Sequence, residues 1–558
     1  MRGHFLAVAF LAGACAARPP SGEPLDLVLE HGEVIDGTGA PRVRADVGIR
    51  GDRIVSVGDL AGAPARRRID ASGRVVTPGF IDLLGHSEFA LLIDNRAEAK
   101  VRQGVTTVLA GEGDSVAPID AGARAEFRDV LEHFHLSLDW TTLDGYWDRL
   151  RRARPSIRLA TLVSAKSIRA DVLGRGAVQP DAAQLTRMQS EVEEMMGQGA
   201  FGLGSALPYA VSRYATTGEL VALATAAGRH HGFYATHVRD EGDHVVEAVD
   251  EAIEIGRQAS VPVEIWHLKV WGQRNWGRMR EVVARIEAAR ARGQDVSANV
   301  YPYLVAQNPL KSDLPAWVTD GGLDATLARL RDPVQRSHAE HDIAASWTPG
   351  EPARIRIGGS FTGAIRELRG KTLEAAAREL GMPPETALVE ILLRDRANTI
   401  AFREFGSEDD LRVALVQPWT AIGLDAGAEA IDGPLSIDAV HPRAFGTTAR
   451  ILGRYVRQEH LLTLEEAVRK MTSLPARRLG VTELGVIRPG ALADLVVLDP
   501  ATVIDTATFE RPRAYPVGFD VVIAGGQILL EHGVRTDARP GGPLLRPGTP
   551  PRPPSTSR

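Results

Sequence analysis

Short apolar runs alternate with amphipathic helical stretches through the middle of the chain. Nine runs have the length and the small or β-branched residues of buried parallel strands, and they cover 80–84, 105–111, 159–164, 201–206, 233–238, 263–269, 296–303, 399–405 and 420–425. Stretches with helical periodicity, such as 218–230 and 243–259, separate them. This alternation predicts a (β/α)8 TIM-like barrel. Because such a barrel has eight strands, we expect one run to be extra, and we favour 159–164 or 201–206.

The two ends of the chain have a different pattern, with short strands and tight turns. In 25–77, the Gly51-Asp52 pair stands between two apolar runs and predicts a hairpin, and 481–537 has the same style. We therefore predict one small composite β-sandwich domain, built from both ends, beside a barrel that spans 78–480. The long connection at 310–357 predicts a lid or subdomain beside the active site.

The composition is that of a globular protein and narrows its class. The chain has 558 residues, 44% of them hydrophobic, which is enough for a barrel and a smaller domain. It carries 65 basic and 71 acidic residues, and no basic stripe with interleaved aromatic residues, so a nucleic-acid partner is not expected. The last segment, 538–558, is rich in Pro, Arg, Gly and Ser, and this composition predicts disorder.

The first residues, 1–16, form a predicted signal segment. Arg2 precedes an apolar run at 5–14, which has the length of a signal h-region and is shorter than the roughly 20 residues of a membrane-spanning helix. The segment ends either at an Ala14-Cys15-Ala16 cleavage site or in a lipobox-like stretch with a lipid anchor on Cys15. Both alternatives predict an exported protein, periplasmic or extracellular, and the lipid anchor is the one membrane attachment considered.

The cysteine count limits the available chemistry. Cys15 is the one cysteine of the chain, so the remainder has no thiolate to serve as a metal ligand or nucleophile, and no internal disulfide. Any metal site must therefore use histidine and carboxylate ligands.

Polar residues stand where five of the apolar runs end. These residues are His86, Glu112, His237, His267 and Asp425. In a parallel barrel the catalytic groups lie at the carboxyl ends of the strands, and imidazole and carboxylate are good zinc ligands. A lone histidine at a strand end is more often a polar cap. Two at successive strand ends, with a strand-end aspartate downstream, favour a metal site with a general base for water.

An ordered set of motifs carries a family resemblance over about residues 25–534. It comprises Gly37-Thr38-Gly39, Pro78-Gly79-Phe80-Ile81-Asp82, Gln103-Gly104-Val105-Thr106-Thr107, Gly202-Leu203-Gly204-Ser205-Ala206-Leu207, Tyr214-Ala215-Thr216-Thr217-Gly218-Glu219-Leu220, Thr236-His237-Val238-Arg239-Asp240-Glu241, His267-Leu268-Lys269, Tyr301-Pro302-Tyr303, His441-Pro442-Arg443-Ala444-Phe445-Gly446-Thr447 and Gly490-Ala491-Leu492-Ala493-Asp494-Leu495. In these motifs the chain resembles the N-acyl-D-amino-acid deacylase (D-aminoacylase) family of the amidohydrolase superfamily.

The resemblance implies a role for each matching position. His237 and His267 match the histidines that hold the tightly bound zinc ion, and Asp425 matches the catalytic aspartate. Three further residues match positions near the substrate carboxylate: Lys269, Tyr301 and Arg443. Their charges and phenol suit that task, because a carboxylate needs fixed donors.

Two departures from the family pattern affect the predicted metal site. The family commonly has a cysteine ligand after the second strand, where this chain has Glu112, and a carboxylate oxygen binds zinc at a similar distance. The first strand normally ends in a His-x-His pair, of which Leu84 replaces the first member and His86 remains. We therefore predict one Zn²⁺, or another divalent ion, on Glu112, His237 and His267. His86 would orient water, stabilise the oxyanion or retain a weak second metal.

The predicted activity is metal-dependent hydrolysis of the acyl amide of N-acyl-amino acids, with the D configuration favoured. A dipeptidase acting on D-residues is an alternative. Cyclic-amide hydrolases such as hydantoinases are a further one, although they usually keep the His-x-His pair and a bridging carbamylated lysine. An alternative of another class is a binding protein on a decayed barrel, which the loss of His-x-His favours and the other strand-end residues disfavour.

Overall fold

The computed structural model describes residues 23–437 and 440–550. The predicted signal segment, with Cys15, lies outside these residues. None of the helices in the described part of the chain is both long and apolar enough to cross a membrane.

The strands of the described residues are numbered in chain order. They are β1 (Leu27–Val34), β2 (Val43–Arg50), β3 (Arg53–Gly58), β4 (Arg68–Asp70), β5 (Val75–Pro78), β6 (Phe80–Asp82), β7 (Val105–Ala110), β8 (Arg158–Thr161), β9 (Val163–Ser164), β10 (Gly202–Ala206), β11 (Phe233–His237), β12 (Val263–Ile265), β13 (Val296–Val300), β14 (Val305–Pro309), β15 (Ile355–Gly359), β16 (Ile400–Glu404), β17 (Thr420–Ile422), β18 (Leu495–Leu498), β19 (Phe519–Ala524), β20 (Gln527–Glu531), β21 (Val534–Arg535) and β22 (Gly542–Pro543).

The α-helices are numbered in the same way. They are α1 (Ala90–Ile93), α2 (Glu98–Val101), α3 (Ala121–His133), α4 (Leu143–Ala153), α5 (Ala165–Leu173), α6 (Ala182–Gly197), α7 (Thr217–Gly228), α8 (Val245–Ala259), α9 (Met279–Ala291), α10 (Ala316–Thr319), α11 (Leu323–Arg331), α12 (Pro333–Ser346), α13 (Glu351–Arg354), α14 (Leu373–Leu380), α15 (Pro384–Arg394), α16 (Glu408–Leu415), α17 (Arg443–Arg450), α18 (Leu464–Met471) and α19 (Ser473–Arg478). A π-helical stretch, Ile451–Gln458, continues α17.

A parallel barrel forms the centre of the molecule. Its strands follow one another as β6, β7, β8 with β9, β10, β11, β12, β13 and β17, and β8 and β9 are two halves of one strand interrupted at Leu162. A bridge between Gly85 and Ala426 closes the ring. Strands such as β7 and β11 are buried along their whole length, because helices cover the outer face and side chains fill the interior.

The ninth apolar run has a different place from the one predicted. Residues 159–164 and 201–206 both belong to the barrel, so the expectation that one of them is extra is wrong. The extra run is 399–405, which contains β16 and pairs antiparallel with β14 and β15. The sequence of a buried strand is apolar in either sheet, so its pattern does not show which sheet contains it.

The insertion between β13 and β17 is a subdomain with its own core. It begins at β14 and ends at β16, so it is longer than the predicted 310–357. Helices α10 to α15 lie within it. Its apolar cluster, which includes Leu327, Ile343, Leu388 and Leu392, is separate from that of the barrel.

Both ends of the chain build the second domain. Its sheet has the order β21-β20-β19-β18-β5-β1-β2-β3, with β4 beside β1. The antiparallel pair of β5 and β18 joins the N-terminal part to the C-terminal part.

The final described residues are ordered along the barrel. Strand β22 pairs in parallel with β8, and the amide of Leu544 donates to the carbonyl of Leu159 at 2.8 Å. Leu545 packs against the barrel core. The expectation of disorder from 538 is therefore wrong for residues 538–550, because a few apolar and backbone contacts hold a segment whose overall composition is polar.

Candidate active site and metal centre

The barrel brings the predicted site residues together in one cleft of about 600 Å³. His86 follows β6, Glu112 follows β7 and His237 is the last residue of β11. His267 and Asp425 follow β12 and β17. The cleft is also lined by the three residues expected near the substrate carboxylate, Lys269, Tyr301 and Arg443. All eight therefore lie at the end of the barrel that is formed by the carboxyl ends of its parallel strands.

Glu112, His237 and His267 form a triangle of ligand atoms. Oε1 of Glu112 lies 3.0 Å from Nδ1 of His237 and 3.1 Å from Nε2 of His267, and all three side chains are nearly buried. A tetrahedral zinc ion with ligands at about 2.0–2.2 Å separates its ligand atoms by about 3.3 Å. The three donors fit such an ion in both chemistry and spacing.

A second group shares Glu112 with the first. Nε2 of His86 lies 3.2 Å from Oε2 of Glu112 and 3.0 Å from Oδ1 of Asp425. Leu84, which stands in the place of the missing histidine, is buried in an apolar cluster of the barrel interior. It contributes its backbone, since its carbonyl accepts the amide of Asp425 at 2.8 Å.

The carboxylates make this region strongly favourable for positive charge. Burial lowers the pKa of His86, but its hydrogen bonds with Asp425 and Glu112 outweigh burial and raise that pKa to about 10. Burial also lowers the pKa of His237, but the charge of Glu241 and the hydrogen bond with Glu112 outweigh burial and raise that pKa to about 9. A divalent cation on these ligands would displace protons, since metal binding requires neutral imidazole.

Asp425 is held as a carboxylate. Burial raises its pKa, but the positive charge of Arg443 and the hydrogen bond from His86 lower the pKa by more than burial raises it, so the net shift is downward. Nη1 of Arg443 lies 2.7 Å from Oδ2 of Asp425. The backbone of Asp425 is left-handed, with φ of 51°, and this conformation turns the residue out of the strand.

Two cationic side chains surround a phenol beside this base. The guanidinium of Arg443 lies 4.6 Å from the centre of the Tyr301 ring, and Nζ of Lys269 lies 5.9 Å from it. The hydroxyl of Tyr301 is buried and has no hydrogen-bond partner among the described residues. A buried hydroxyl without a partner is costly unless a ligand satisfies it.

His441 is a contributor whose role the sequence did not indicate. Its Nε2 donates to the carbonyl of Val305 at 2.9 Å, and its Nδ1 accepts the backbone amide of Arg443 at 2.9 Å. Burial and the charge of Arg443 hold the pKa of His441 well below its usual value, so the ring is neutral and its two nitrogens keep these roles. His441 thus joins the insertion to the start of α17, where Arg443 lies.

Glu241 is the second contributor that sequence reasoning missed. It appears in the motif that follows β11, and a carboxylate four residues after a ligand histidine was the available signal. Its Oε1 lies 2.5 Å from Nζ of Lys269, and close to His237 and His267.

Asp82 and Lys100 form a buried ion pair that links two segments of the site. One oxygen of Asp82 accepts the amides of Leu84 and Leu424 at 3.0 and 2.9 Å, and the other accepts Nζ of Lys100 at 2.7 Å. Lys100 also donates to the carbonyl of Ala426 at 2.7 Å. This fully buried pair ties the segments that carry His86 and Asp425 to each other.

Comparison with known proteins agrees with this geometry. Residues 67–530 match the amidohydrolase family. The chain is 37% identical to a D-aminoacylase of Alcaligenes xylosoxydans xylosoxydans, over 94% of this chain and 98% of the relative. The crystal structure of an N-acyl-D-glutamate deacylase from Bordetella bronchiseptica, complexed with zinc and a phosphonate inhibitor, superimposes with a TM-score of 0.79 at 34% identity, covering 94% of this chain and all of the other.

A solved D-aminoacylase is similar to the same extent. It has a TM-score of 0.78 and 36% identity, covers 94% of this chain and all of its own, and is described as having a binuclear metal centre with one-metal activation and second-metal attenuation. The likeness to these enzymes extends over the small domain, the barrel and the insertion. The chain therefore belongs to the amidohydrolase family and, within it, to the group of the D-aminoacylases.

Proposed function

We propose that the protein is a metal-dependent amidohydrolase that cleaves the acyl amide of N-acyl-D-amino acids, releasing a carboxylate and the free amino acid. The observation that carries the proposal is the position of Glu112, which contacts the imidazoles of His237 and His267 with one oxygen and faces the base Asp425 through His86 with the other. The D configuration is proposed because the relatives named above are D-aminoacylases and an N-acyl-D-glutamate deacylase.

The proposed cofactor is one Zn²⁺ per chain, on Glu112, His237 and His267, with another divalent ion as the alternative. Three protein ligands leave a fourth position open, as in catalytic zinc sites. A bound zinc ion lowers the pKa of water towards about 7 and polarises an amide carbonyl. The one-metal activation described for a solved D-aminoacylase supports a single activating ion.

Asp425 is the proposed general base and then the general acid. Its carboxylate is ionised in the resting site, so it can take the proton of the attacking water. After attack on the acyl carbon, the protonated Asp425 passes that proton to the departing amine. His86, 3.0 Å from the same carboxylate, orients the water and keeps Asp425 directed into the cleft.

The substrate carboxylate is proposed to lie against Lys269, Tyr301 and Arg443. Two fixed cations and one hydroxyl that has no hydrogen-bond partner in the described part of the chain match a carboxylate in charge and in donors. Ammonium and guanidinium groups on a rigid barrel hold the amide at a constant distance from Asp425, which supplies the orientation that catalysis requires.

Turnover by Asp425→Asn tests the proposal. This variant should lose activity on N-acetyl-D-amino acids while its zinc content, measured by mass spectrometry, stays at the wild-type value. An active Asp425→Asn variant would overturn the base assignment. Arg454→Gln, an ion-pair variant on the outer part of the helix after α17, serves as a control that should keep both quantities.

A substrate panel separates the rival activities. N-acetyl-D-amino acids should be cleaved faster than their L-forms, dipeptides with a D-residue and cyclic amides. Preference for the dipeptides would favour a dipeptidase. A wild-type protein that binds zinc and cleaves none of these would favour a binding protein on the same fold.

Export is a further part of the proposal, resting on the apolar run at 5–14. Fractionation of cells that produce the full chain, followed by labelling with a radioactive fatty acid, would distinguish a cleaved signal from a lipid anchor on Cys15. Recovery in the cytoplasm would contradict both.

A further inference from the structure

The two metal-binding histidines each have a second ring nitrogen that faces away from Glu112. Nε2 of His237 lies 3.3 Å from Oε1 of Glu241, and Nδ1 of His267 lies 3.2 Å from the same oxygen. Both imidazoles therefore lie between two carboxylates, with Glu112 on the metal side and Glu241 on the other. Glu241 is itself almost buried, with its side chain 10% exposed.

Metal binding decides where the protons of these rings must be. A neutral imidazole binds a metal through a nitrogen lone pair and carries its proton on the other nitrogen. If Nδ1 of His237 and Nε2 of His267 face the metal, then Nε2 of His237 and Nδ1 of His267 carry the protons and need acceptors. Oε1 of Glu241 is within reach of both.

Lys269 adds a third donor to the same oxygen. Its Nζ lies 2.5 Å from Oε1 of Glu241 and 2.7 Å from Nδ1 of His267. An ammonium cannot accept from a protonated imidazole nitrogen, so in the metal-binding tautomer the contact between Lys269 and His267 joins two donors. Oε1 of Glu241 is within reach of both nitrogens, so each can direct its proton at this oxygen instead of at the other nitrogen.

The backbone around Glu241 is anchored for this task. The carbonyl of Glu241 accepts the amide of Trp271 at 2.6 Å, which ties the segment after β11 to the segment after β12. One residue earlier, Oδ1 of Asp240 accepts the amide of Gly242 at 2.6 Å and fixes the turn. The side chain is thus directed back towards the two histidines.

We infer that Glu241 is a positioning residue, whose single oxygen Oε1 accepts the outer N–H of both metal-binding imidazoles and the ammonium of Lys269. It fixes the tautomers and orientations of His237 and His267 for the metal. It also joins the metal site to the cation proposed for the substrate carboxylate, Lys269, whose ammonium donates to the carbonyl of His267 at 3.3 Å as well. This inference rests on the proposed function for the assignment of the histidines as ligands.

Affinity for Zn²⁺ alone tests the inference, and needs no substrate. Metal-free wild type, Glu241→Met and Glu241→Gln are titrated with Zn²⁺ against a chromophoric chelator, after circular dichroism has shown each to be folded. Loss of an outer-shell acceptor typically weakens metal affinity by about 10–100-fold, and we expect this for Glu241→Met. Glu241→Gln keeps a carbonyl oxygen that accepts N–H, so its loss should be smaller.

Glu251→Gln is the matched control. Glu251 is a partly buried carboxylate on α8 that pairs with Arg239 and contacts neither histidine, so its variant should bind Zn²⁺ as the wild type does. Lys269→Met should raise KM for an N-acyl-D-amino acid and leave the Zn²⁺ dissociation constant within a small factor of wild type. This split would distinguish the two partners of the same oxygen.

The outcomes separate this inference from the proposed function. An unchanged Zn²⁺ dissociation constant in Glu241→Met, or an equal loss in Glu251→Gln, overturns the positioning role. If Glu241→Met weakens Zn²⁺ binding as expected while wild type hydrolyses no N-acyl-D-amino acid, the positioning role is supported and the proposed substrate is overturned. If Glu241→Met does not fold, Glu241→Gln, which keeps an accepting oxygen, is compared with Glu241→Leu, which has none. Weaker Zn²⁺ binding by Glu241→Leu than by Glu241→Gln supports acceptance by the oxygen. Equal binding by both variants and wild type overturns it.

Discussion

Oδ2 of Asp425 lies 2.7 Å from Nη1 of Arg443, so the proposed base is ion-paired with a cation that is also expected to hold the substrate carboxylate. A bound substrate would share the charge of Arg443 between two carboxylates. Asp425 would then lose part of the interaction that lowers its pKa, and become a stronger base when substrate is present. Asp425 would thus be ionised in the resting enzyme, and its affinity for a proton would rise when substrate binds.

Replacing Arg443 should therefore shift the pH dependence of the reaction. The charge of Arg443 lowers the pKa of Asp425, so Arg443→Gln raises it, and the ionised base is then lost at a higher pH on acidification. We expect the acidic limb of the kcat/KM profile, which reports the free enzyme, to move upward by about 1 pH unit, since an adjacent arginine typically lowers the pKa of an aspartate by about 1–3. KM should rise in the same variant. An unmoved limb with a raised KM would limit Arg443 to substrate binding.

Replacing Glu112 should release the metal. Glu112→Gln removes the negative charge of the carboxylate that both groups of ligands share, and we expect zinc content after dialysis to fall below a tenth of wild type, with affinity weaker by about 100-fold or more. Glu126→Gln is the control, because Glu126 lines the same cleft and pairs with Lys166. Full zinc occupancy of Glu112→Gln would contradict the proposed ligand set.

When the metal is removed and then returned, activity should saturate at a defined number of zinc ions per chain. Chelation should abolish activity, because the proposed ion that activates water and polarises the amide is then missing, and Glu112 contacts the imidazoles of His237 and His267 in its place. One equivalent of Zn²⁺ per chain should restore it, since Leu84 removes one ligand of the second position. Activity that rises linearly to two equivalents would contradict the single-metal proposal.

Breaking the buried pair of Asp82 and Lys100 should destabilise the fold. Lys100→Met leaves a carboxylate buried without its cation, and such changes cost about 3–5 kcal/mol. We expect a clear fall in Tm by calorimetry of the metal-free protein. The double variant Asp82→Asn/Lys100→Met removes both charges and keeps an oxygen for the amides of Leu84 and Leu424, so it should recover part of the loss.

Lys371→Met is the exposed counterpart of that experiment. Lys371 pairs with Glu379 on the surface of the insertion, where an ion pair contributes about 0–1 kcal/mol. Its Tm should stay near that of wild type. Equal falls in Lys100→Met and Lys371→Met would show that burial of the Asp82 pair is not what matters.

The strand-end residues could be predicted because parallel strands reach their carboxyl ends at one side of a barrel. The periodicity of the chain therefore indicated that residues as distant as His86 and Asp425 would face one cleft. The same periodicity could not separate β16 from the barrel strands, because the run 399–405 is apolar in either sheet. Hydrogen-bond partners, which sequence patterns do not contain, made that distinction.

The sequence by itself determined the ligand chemistry, since a chain whose one cysteine is Cys15 must bind a metal through histidine and carboxylate, and it determined the order of the motifs. The tertiary structure alone decided that Glu112 contacts both His237 and His86, that Glu241 lies on the outer side of both metal-binding histidines, and that residues 542–544 lie along β8. The physical reason is that these relationships join residues remote in the chain over a few ångströms. Side-chain direction and packing, not local periodicity, set such distances.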